Sequence, residues 1–332
     1  MKVAINGFGR IGRPTFKRLL ENNIEVVAIN DLADTKTLAH LLKYDSLYGK
    51  YDQIVKATKN GIKVGGKEFK VLSQKDPKKL PWRELDVDVV LECTGFFADY
   101  EGASEHIKAG AKKVIISTPG KSPEIKTFVI GGNEERYNPK TDHVISMASC
   151  TTNCLVPVLK ILNESFTIER GAMTSIHSYT SSQRLVDTSH KDLRRGRAAA
   201  VNFIPTTTGA AIATTKVLPE LKDKVCGIAV RVPTPVGSIS DITVQVKKPT
   251  TIKEVNSVFE KASKEKLKGI LRVEKNPLVS SDYIGDTYSA IIDSQMTMVQ
   301  DKTLIKVLAW YDNEFGYACR LAEFAEYIGK KL

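Results

Sequence analysis

Cys150 and His177 have the residue types needed for covalent catalysis. Cys150 lies among hydroxyl residues in the segment 148–154, directly before an apolar run that predicts a helix. Unpaired backbone N–H groups and the dipole at the first turn of that helix favour negative charge, so we expect a depressed pKa for this thiol. With His177 as a base, the sequence predicts a nucleophilic site; the alternative is a buried cysteine with a structural role only.

The composition is that of a soluble globular protein with a basic surface. The 332 residues are enough for two domains, and the apolar runs are no longer than strands, so we expect no membrane segment. The net charge of +11 comes from scattered lysines and from an arginine-rich run at 191–197, whose guanidinium groups suit phosphate or carboxylate ligands. Because no RNA-binding aromatic motif or concentrated basic face is present, we expect no specific nucleic acid partner.

The cysteines indicate a reducing compartment. Their number is odd and their spacing is wide, which argues against a disulfide framework. A strand pattern begins directly after Met1 and leaves no room for a signal or transit peptide, so we expect a cytoplasmic protein. Cys150 and Cys154 are four residues apart, but no second pair follows at zinc spacing, and we expect no metal site.

The amino-terminal segment has the pattern of a dinucleotide-binding unit. An apolar strand at 3–6 runs into the glycine-rich segment 7–12 and a helix to about Leu20, and a second strand at 24–30 ends at Asp31. In a Rossmann βαβ unit the glycines let the backbone approach a pyrophosphate, and the acid accepts from the ribose hydroxyls. The alternative is a tight turn in an ordinary α/β domain.

Further strands extend this unit into a parallel sheet that is covered on both faces. The strand and helix patterns that follow lie at 87–92, 102–109, 113–116 and 144–146. Ligands of such sheets bind at the carboxyl ends of the strands. The polar residues at those ends are Asn6, Asp31, Thr94 and Ser117. The last strand leads to Cys150, so we expect the nucleophile at the rim of the cofactor cleft.

The second half of the chain predicts a different architecture, with strands that have one polar face. Its strand patterns lie at 173–179, 228–232, 240–246, 289–293 and 304–310, with a helix at 252–267. The fold class is therefore α/β, with a Rossmann-type parallel sheet domain and an α+β catalytic domain that holds a large mixed or antiparallel sheet. We expect residues 1–149 and 313–332 to form the dinucleotide-binding domain and residues 150–312 the catalytic domain.

Several motifs, taken in order, resemble phosphorylating glyceraldehyde-3-phosphate dehydrogenase over essentially the whole chain. They lie at 5–13, 41–46, 148–154, 177–180, 190–195, 205–211, 231–235 and 310–314. The resemblance implies oxidation of D-glyceraldehyde 3-phosphate to 1,3-bisphosphoglycerate through a cysteine thioester, with reversible reduction of NAD, in glycolysis or gluconeogenesis. It also implies a homotetramer, whose loop at 178–202 reaches toward the cofactor of a neighbouring subunit.

The resemblance assigns a role to each candidate residue. Cys150 is the nucleophile, His177 its base and orienting partner, and Asn313 holds the nicotinamide carboxamide. Thr180 and Arg231 hold the C3 phosphate of the substrate. The ligands of inorganic phosphate are Ser149, Thr151, Arg195, Thr208 and Gly209, with Arg231 close to both phosphates. The alternatives are turn or capping roles for the hydroxyl residues and surface ion pairs for the arginines.

The expected cofactor is NAD, with NADP as a second substrate. Small hydroxyl residues at Thr188 and Ser189 resemble NADP-accepting members of the family, whereas the Asp31 carboxylate repels a 2′-phosphate. The expected cofactor ligands are Asn6, Gly7, Phe8, Gly9, Arg10, Ile11, Gly12, Asp31, Thr94, Ser117, Thr188, Ser189 and Asn313. The alternative enzyme is erythrose-4-phosphate dehydrogenase, but the motif at 206–209 favours the triose enzyme because it supplies the inorganic phosphate site.

Overall fold

The computed structural model describes residues 1–332, which form two compact units. The first unit contains Met1–Phe128, Glu135–Ala148 and Ala318–Leu332, and the second contains Val129–Glu134 and Ser149–Tyr317. The division of the chain by function, with cofactor binding in one domain and catalysis in the other, remains a prediction. No helix has the length and apolar character needed to cross a membrane.

The first unit is built on a nine-stranded sheet. The strands of this unit are β1 (Lys2–Asn6), β2 (Glu25–Asn30), β3 (Tyr44–Asp45), β4 (Gly49–Lys50), β5 (Val55–Ala57), β6 (Gly61–Val64), β7 (Lys67–Leu72), β8 (Val89–Glu92), β9 (Lys113–Ile116), β10 (Lys126–Thr127) and β11 (Val144–Ser146). The sheet order is β10-β11-β9-β8-β1-β2-β7-β6-β5, and β3 pairs with β4 separately. Neighbours are parallel from β10 to β7 and antiparallel at β6 and β5, so the predicted parallel sheet is confirmed.

Three helices of the first unit pack against strands of this sheet. They are α1 (Gly12–Glu21), α2 (Thr35–Lys43) and α3 (Tyr100–Lys108). The Asp99 carboxylate accepts from the backbone N–H of Gly102 and so starts α3 two residues before the predicted position. Every residue of β8 and β9 is buried, which explains their nearly continuous apolar sequence.

The second unit holds a mixed eight-stranded sheet, as predicted. Its strands are β12 (Ile168–Ser178), β13 (Ile204–Thr207), β14 (Val225–Val232), β15 (Ser238–Val246), β16 (Leu271–Glu274), β17 (Ala290–Asp293), β18 (Met298–Gln300) and β19 (Leu304–Tyr311). The order is β13-β14-β12-β15-β19-β17-β16, with β18 paired to β19. The pairs β12–β14 and β16–β17 are parallel, and the others are antiparallel.

The remaining helices are α4 (Cys150–Phe166), α5 (Ala210–Val217), α6 (Ile252–Lys264) and α7 (Phe315–Gly329). Single turns of 3-10 helix lie at Pro77–Lys79, Glu134–Arg136, Pro219–Leu221 and Ser280–Tyr283. The apolar residues of α4 form the core of the second unit together with residues of its sheet. A capping box between Thr251 and Glu254 starts α6, which ends three residues before the predicted Leu267.

The register of the large sheet decides which polar side chains become neighbours. Strand β12 lies between β14 and β15, and His177 on β12 is the register partner of Arg231 on β14. The first residue of α4, a helix that packs against this sheet, is Cys150. Three candidate residues far apart in the sequence therefore meet at one end of one sheet.

Candidate active site

The predicted nucleophile and base are in contact. The Cys150 Sγ lies 3.4 Å from the Nε2 of His177, and the His177 side chain is only 4% exposed. Ser149 caps the helix that begins at Cys150, because its hydroxyl accepts from the backbone N–H of Thr152 at 3.1 Å. The structure thus holds a thiol and an imidazole nitrogen within reach of proton transfer at the start of a helix.

The other ring nitrogen of His177 is held by the backbone. Its Nδ1 lies 2.7 Å from the carbonyl oxygen of Ser178, and the Arg231 Nη1 lies 2.9 Å from the same oxygen. Since a carbonyl oxygen has two lone pairs, Ser178 accepts from Nδ1–H and from the guanidinium together. This tautomer leaves Nε2 without a proton and facing the thiol. The Arg231 Nη1 also lies 2.8 Å from Nδ1; with the proton on Nδ1 this is a contact between two donors to the same Ser178 oxygen, not a hydrogen bond.

The ionisation of this pair differs from the sequence prediction. Burial raises the pKa of Cys150 above its usual value, although the charge of Arg231 and the N–H of Thr151 act in the opposite direction. Burial, together with the Arg231 charge, lowers the pKa of His177 to about 3. The predicted depressed pKa of the thiol is therefore wrong, because desolvation of the thiolate outweighs the helix terminus and the nearby cation. The resting pair at neutral pH is a thiol beside a neutral imidazole.

Arg231 is a cation without an anionic partner in the protein. No carboxylate oxygen lies within 4.0 Å of its guanidinium, and its Nε has no hydrogen-bond partner. Burial lowers the pKa of Arg231, and the charge of Arg195 lowers it further. A partly buried guanidinium with no paired charge is unfavourable in isolation, and an anionic ligand would compensate it. Arg231, with the charge of Arg195 near enough to lower its pKa, is therefore a candidate phosphate ligand beside the thiol.

A tyrosine and a serine that the sequence analysis did not single out support this site. The Tyr311 hydroxyl lies 3.0 Å from Thr151 Oγ1 and 2.8 Å from Ser175 Oγ. All three residues are at most 5% exposed, and the Tyr311 ring packs edge-on against the His177 ring at 6.0 Å. Tyr311 lies in the motif 310–314, and Ser175 is two residues before His177 on the same strand face. Strand alternation was the signal that could have identified Ser175.

The other candidate phosphate ligands lie on neighbouring loops. Arg195 Nε donates to Thr206 Oγ1 at 2.9 Å, which fixes its guanidinium beside the strand that leads to Thr208. The Thr208 hydroxyl accepts from the backbone N–H of Ala210 at 3.1 Å, and Gly209 stands at the start of α5. These residues make no hydrogen bond to Cys150 or His177.

Thr180 follows β12 and lies in a loop. Its hydroxyl is 2.9 Å from Ser182 Oγ, and its backbone N–H donates to Gln183 Oε1 at 3.3 Å. Thr188 and Ser189 are further along the same loop, with exposed side chains. Their contact with the cofactor of another subunit remains a prediction.

The amide of Asn313 is oriented by three donors. Its Oδ1 accepts from Ser178 Oγ at 2.9 Å, from Ser238 Oγ at 3.0 Å and from the backbone N–H of Gly237 at 3.1 Å. Three donors on one atom assign that atom as oxygen. The Nδ2 has no acceptor in the protein, so it can donate both hydrogens to a ligand.

The first unit contains a cavity of about 940 Å³ at the carboxyl ends of its central strands. Five predicted cofactor ligands line it: Asn6, Gly7, Gly9, Asp31 and Thr94. The other walls of the cavity were not predicted from the sequence; they include the 80%-exposed Phe96 and the cations Lys75 and Lys79. Concave apolar walls with a few fixed polar groups are typical of cofactor sites.

The glycine-rich turn and Asp31 fit a dinucleotide. Gly7 has a φ of +94°, and a Cβ there would lie 2.7 Å from the backbone nitrogen of Thr94. The Asp31 carboxylate accepts from the backbone N–H of Phe8 at 2.8 Å and from that of Ala33 at 3.0 Å. These bonds fix an acceptor at the end of β2, where a ribose hydroxyl would bind.

The other predicted cofactor ligands of the first unit do not line this cavity: Phe8, Arg10, Ile11, Gly12 and Ser117. The Phe8 side chain packs edge-on against Phe16 in the core, and Arg10 forms an ion pair with Asp45 at 2.5 Å. Ile11 and Gly12 begin α1, where a Cβ on Gly12 would lie 2.1 Å from the Gly7 oxygen. Their positions shape the turn, and any contact with the cofactor would come from the backbone.

A buried polar network that the sequence analysis missed holds the cavity wall. The Glu92 carboxylate accepts from Asn6 Nδ2 at 2.5 Å and from the Thr94 N–H at 2.8 Å. His106 Nε2 lies 3.2 Å from the same carboxylate, and the His106 Nδ1 accepts from Trp82 Nε1 at 2.9 Å. Glu92 ends an apolar strand, so its sequence context gave no sign that its carboxylate would position two ligand residues.

Two family models match the chain. Residues 1–100 match the family described as glyceraldehyde 3-phosphate dehydrogenase, NAD binding domain. Residues 149–313 match the family described as glyceraldehyde 3-phosphate dehydrogenase, C-terminal domain.

Curated relatives match over the full length. The glyceraldehyde-3-phosphate dehydrogenase of Geobacillus stearothermophilus is 54% identical over 332 residues, which is 100% of this chain and 99% of the relative. That of Borreliella burgdorferi is 53% identical over 337 residues, which is 99% of this chain and 100% of the relative. Glyceraldehyde-3-phosphate dehydrogenase 2 of Streptomyces avermitilis is 52% identical over 334 residues, which is 100% of this chain and 99% of the relative. The chain belongs to the glyceraldehyde-3-phosphate dehydrogenase family.

Proposed function

We propose that this chain oxidises D-glyceraldehyde 3-phosphate to 1,3-bisphosphoglycerate with NAD and inorganic phosphate. The observation that carries the proposal is the contact of a thiol, a neutral imidazole and a guanidinium that has no carboxylate partner. The thiol supplies a nucleophile, the imidazole moves protons, and the guanidinium attracts a phosphate group. We assign cofactor binding to residues 1–149 and 313–332, and catalysis to residues 150–312.

His177 moves the protons of this reaction. As Cys150 Sγ bonds to the aldehyde carbon, the thiol proton passes to Nε2 and then to the former carbonyl oxygen, which gives a hemithioacetal. Bound NAD supplies the acceptor for the hydride of that carbon. Nε2 takes the hydroxyl proton, and the carbon stays bound to sulfur as a thioester. Inorganic phosphate then attacks the thioester, the acyl phosphate leaves, and sulfur recovers the proton from Nε2.

Donors at the helix start and two arginines stabilise the charges of these steps. The N–H of Cys150, in the first turn of α4, donates to the oxygen that becomes negative when sulfur adds. Thr180 and Arg231 hold the C3 phosphate of the substrate. The ligands assigned to inorganic phosphate are Ser149, Thr151, Arg195, Thr208 and Gly209. Their support is the charge of Arg195 close to Arg231 and the fixed hydroxyls of Ser149 and Thr151.

NAD is the cofactor, and we propose NADP as a weaker second substrate. The Asp31 carboxylate repels a 2′-phosphate, whereas Lys75 and Lys79 line the same cavity and attract one. Thr188 and Ser189 of a neighbouring subunit would add hydroxyl donors. The Asn313 Nδ2 would hold the nicotinamide carboxamide, and Asn6 and Thr94 would line the bound dinucleotide.

The assembly proposed for this chain is a homotetramer in the cytoplasm. Apolar side chains on and beside the loop 178–202 are exposed in the single chain, namely Leu185 (80%), Val186 (69%), Leu193 (86%), Val201 (76%) and Phe203 (76%). An exposed apolar group of this size marks a protein contact, and a second copy of the chain would cover it. All five cysteines are free, which suits a reducing compartment.

A direct assay of NADH formation tests the proposed function. Purified protein with D-glyceraldehyde 3-phosphate and NAD should form NADH continuously only when inorganic phosphate is present, because phosphate must clear the thioester. Without phosphate, a burst of NADH equal to the number of sites should remain. Cys150→Ser should abolish the burst. Erythrose 4-phosphate should be a poorer substrate, and a higher kcat/KM for it would favour the alternative enzyme.

A further inference from the structure

We propose that Ser178 is a positioning residue that joins the catalytic histidine to the amide that binds nicotinamide. This inference rests on the proposed function and extends it to a residue that contacts neither substrate nor cofactor. Ser178 is 0% exposed and is the last residue of β12, directly after His177. Its backbone and its side chain are used by different partners, and each partner has its own task in the reaction.

The backbone of Ser178 serves the base. Its carbonyl oxygen accepts from His177 Nδ1 at 2.7 Å and from Arg231 Nη1 at 2.9 Å. This oxygen therefore fixes the ring tautomer and brings the guanidinium to the ring. A carbonyl oxygen is present in every residue type, so this task places no demand on the side chain.

The side chain of Ser178 serves Asn313. Its hydroxyl donates to Asn313 Oδ1 at 2.9 Å, and its backbone N–H donates to Ser238 Oγ at 3.2 Å. The same Ser238 hydroxyl donates to Asn313 Oδ1 at 3.0 Å. A closed set of donors thus holds one oxygen, and the amide cannot rotate without breaking them. The Asn313 Nδ2 is left with a fixed direction and no protein acceptor.

A fixed amide lowers the free-energy cost of binding the nicotinamide carboxamide. A side-chain amide that must be ordered when a ligand arrives loses rotamer entropy at that moment, and a preorganised one does not. The Ser178 hydroxyl is therefore needed for affinity toward the cofactor, while the Ser178 carbonyl is needed for the base. The two tasks can be separated by a substitution that removes only the hydroxyl.

The test is Ser178→Ala, which keeps the carbonyl oxygen and deletes the hydroxyl. The Kd of NAD, measured by calorimetry without aldehyde or phosphate, should rise about three- to tenfold, the range for one lost hydrogen bond. The rate at which iodoacetamide alkylates Cys150, measured from pH 6 to 10 without cofactor, should keep the wild-type pH profile. A disturbed site would change both measurements.

A double-mutant cycle with Asn313→Ala shows whether Ser178 acts through Asn313. Ser178→Ala should raise the Kd of NAD in the wild-type background and change it by less than about twofold in the Asn313→Ala background. The control is Ser240→Ala, which removes another fully buried hydroxyl on neighbouring β15 without touching Asn313; its Kd should match the wild type. If Ser178→Ala does not fold, Ser178→Cys replaces it; the thiol is slightly larger than the hydroxyl and donates only weakly.

Two outcomes would overturn the inference. The first is a wild-type Kd for NAD in Ser178→Ala, and the second is an equal rise of Kd with and without the Asn313 amide. Neither measurement uses aldehyde or phosphate, so both are independent of the assay of NADH formation that tests the proposed function. A wild-type protein that binds NAD but forms no NADH from the aldehyde refutes the proposed function and leaves the Kd cycle valid.

Discussion

Replacing Arg231 by leucine tests the central electrostatic feature of the site. Leucine keeps an apolar stem on β14 but removes the guanidinium, which has no carboxylate partner and which touches His177 Nδ1 at 2.8 Å. In the proposed reaction this group binds the C3 phosphate and lies near the attacking inorganic phosphate. The Michaelis constants of both ligands should therefore rise together.

The size of the effect follows from the lost contact. A hydrogen bond to a charged group contributes about 1.5–3 kcal/mol, which corresponds to roughly 10- to 150-fold in each Michaelis constant. The charge of Arg231 acts to lower the pKa of His177 and partly offsets the rise that burial causes in the pKa of Cys150, so both pKa values should rise in the variant. The pH dependence of Cys150 alkylation should shift to higher pH, since the thiolate loses its nearest cation.

Steady-state kinetics with each ligand varied in turn measures this prediction. Arg231→Lys is the matched control, because it keeps the charge but loses the planar fork, and its constants should lie between those of the wild type and Arg231→Leu. The reasoning is refuted if both Michaelis constants stay at wild-type values. A rise for the aldehyde alone would limit Arg231 to the C3 phosphate.

The other predictions concern the thiol, the base and the cofactor. Alkylation of Cys150, followed by mass spectrometry, should rise steadily with pH through neutrality, because burial raises its pKa; a plateau below pH 7 would contradict this. His177→Asn should slow the NADH burst about 10²- to 10⁴-fold, and an unchanged burst in rapid-mixing experiments would remove the base from the mechanism. The folded chain keeps His177 neutral down to about pH 3, so the unfolded chain binds one more proton below about pH 6.5. We therefore consider the difference in free energy of unfolding between the wild type and His177→Asn. As the pH decreases from about 6.5 to about 3, this difference should fall by up to about 1.4 kcal/mol per pH unit. If urea titrations give a difference that does not change with pH, the ring is not buried in its neutral form. Asp31→Gly should lower the ratio of kcat/KM for NAD to kcat/KM for NADP, because the like-charge repulsion that it removes favours NAD by roughly ten- to hundredfold. Ser189→Pro should lower kcat/KM for NADP and leave that for NAD unchanged. Parallel measurements of kcat/KM with the two cofactors test both predictions.

The sequence predicted the strands and turns well where local patterns dominate. Strands β9 and β11 have the predicted ends because short apolar runs between turn residues fix them. Helix α2 was missed although Asp34 caps it and Leu38 and Leu42 place apolar side chains one turn apart on one face. Strands β5 to β7 were missed because their alternation of lysines with isolated apolar residues is weak in any short window. Short strands of mixed polarity therefore could not be identified from local patterns, whereas the signal for helix α2 was present in the sequence.

Contacts between distant segments could not be obtained from the sequence. The partnership of His177 with Arg231 depends on the parallel register of β12 and β14, which follows from packing of the whole sheet. The hydrogen bonds from Ser178 and Ser238 to Asn313 form because β15 lies beside β12. The family resemblance assigned His177, Arg231 and Asn313 to the site, but only the structure shows which of their atoms already have hydrogen-bond partners in the protein.

The ionisation of Cys150 shows why residue type and helix position were not sufficient. The sequence placed the thiol at a helix terminus, where the dipole contributes about 0.3–1 kcal/mol toward a thiolate. Burial acts against a charged sulfur and is the larger effect here, a quantity that depends on depth and not on sequence position. A neutral thiol against an unprotonated Nε2 needs no stored charge. The nucleophile forms when its proton passes from Sγ to Nε2, two atoms that already lie 3.4 Å apart, as the sulfur bonds to the aldehyde. Arg231 then stabilises the negative charge that appears as the proton leaves sulfur, and this lowers the barrier in addition to the binding of the C3 phosphate that we propose for it.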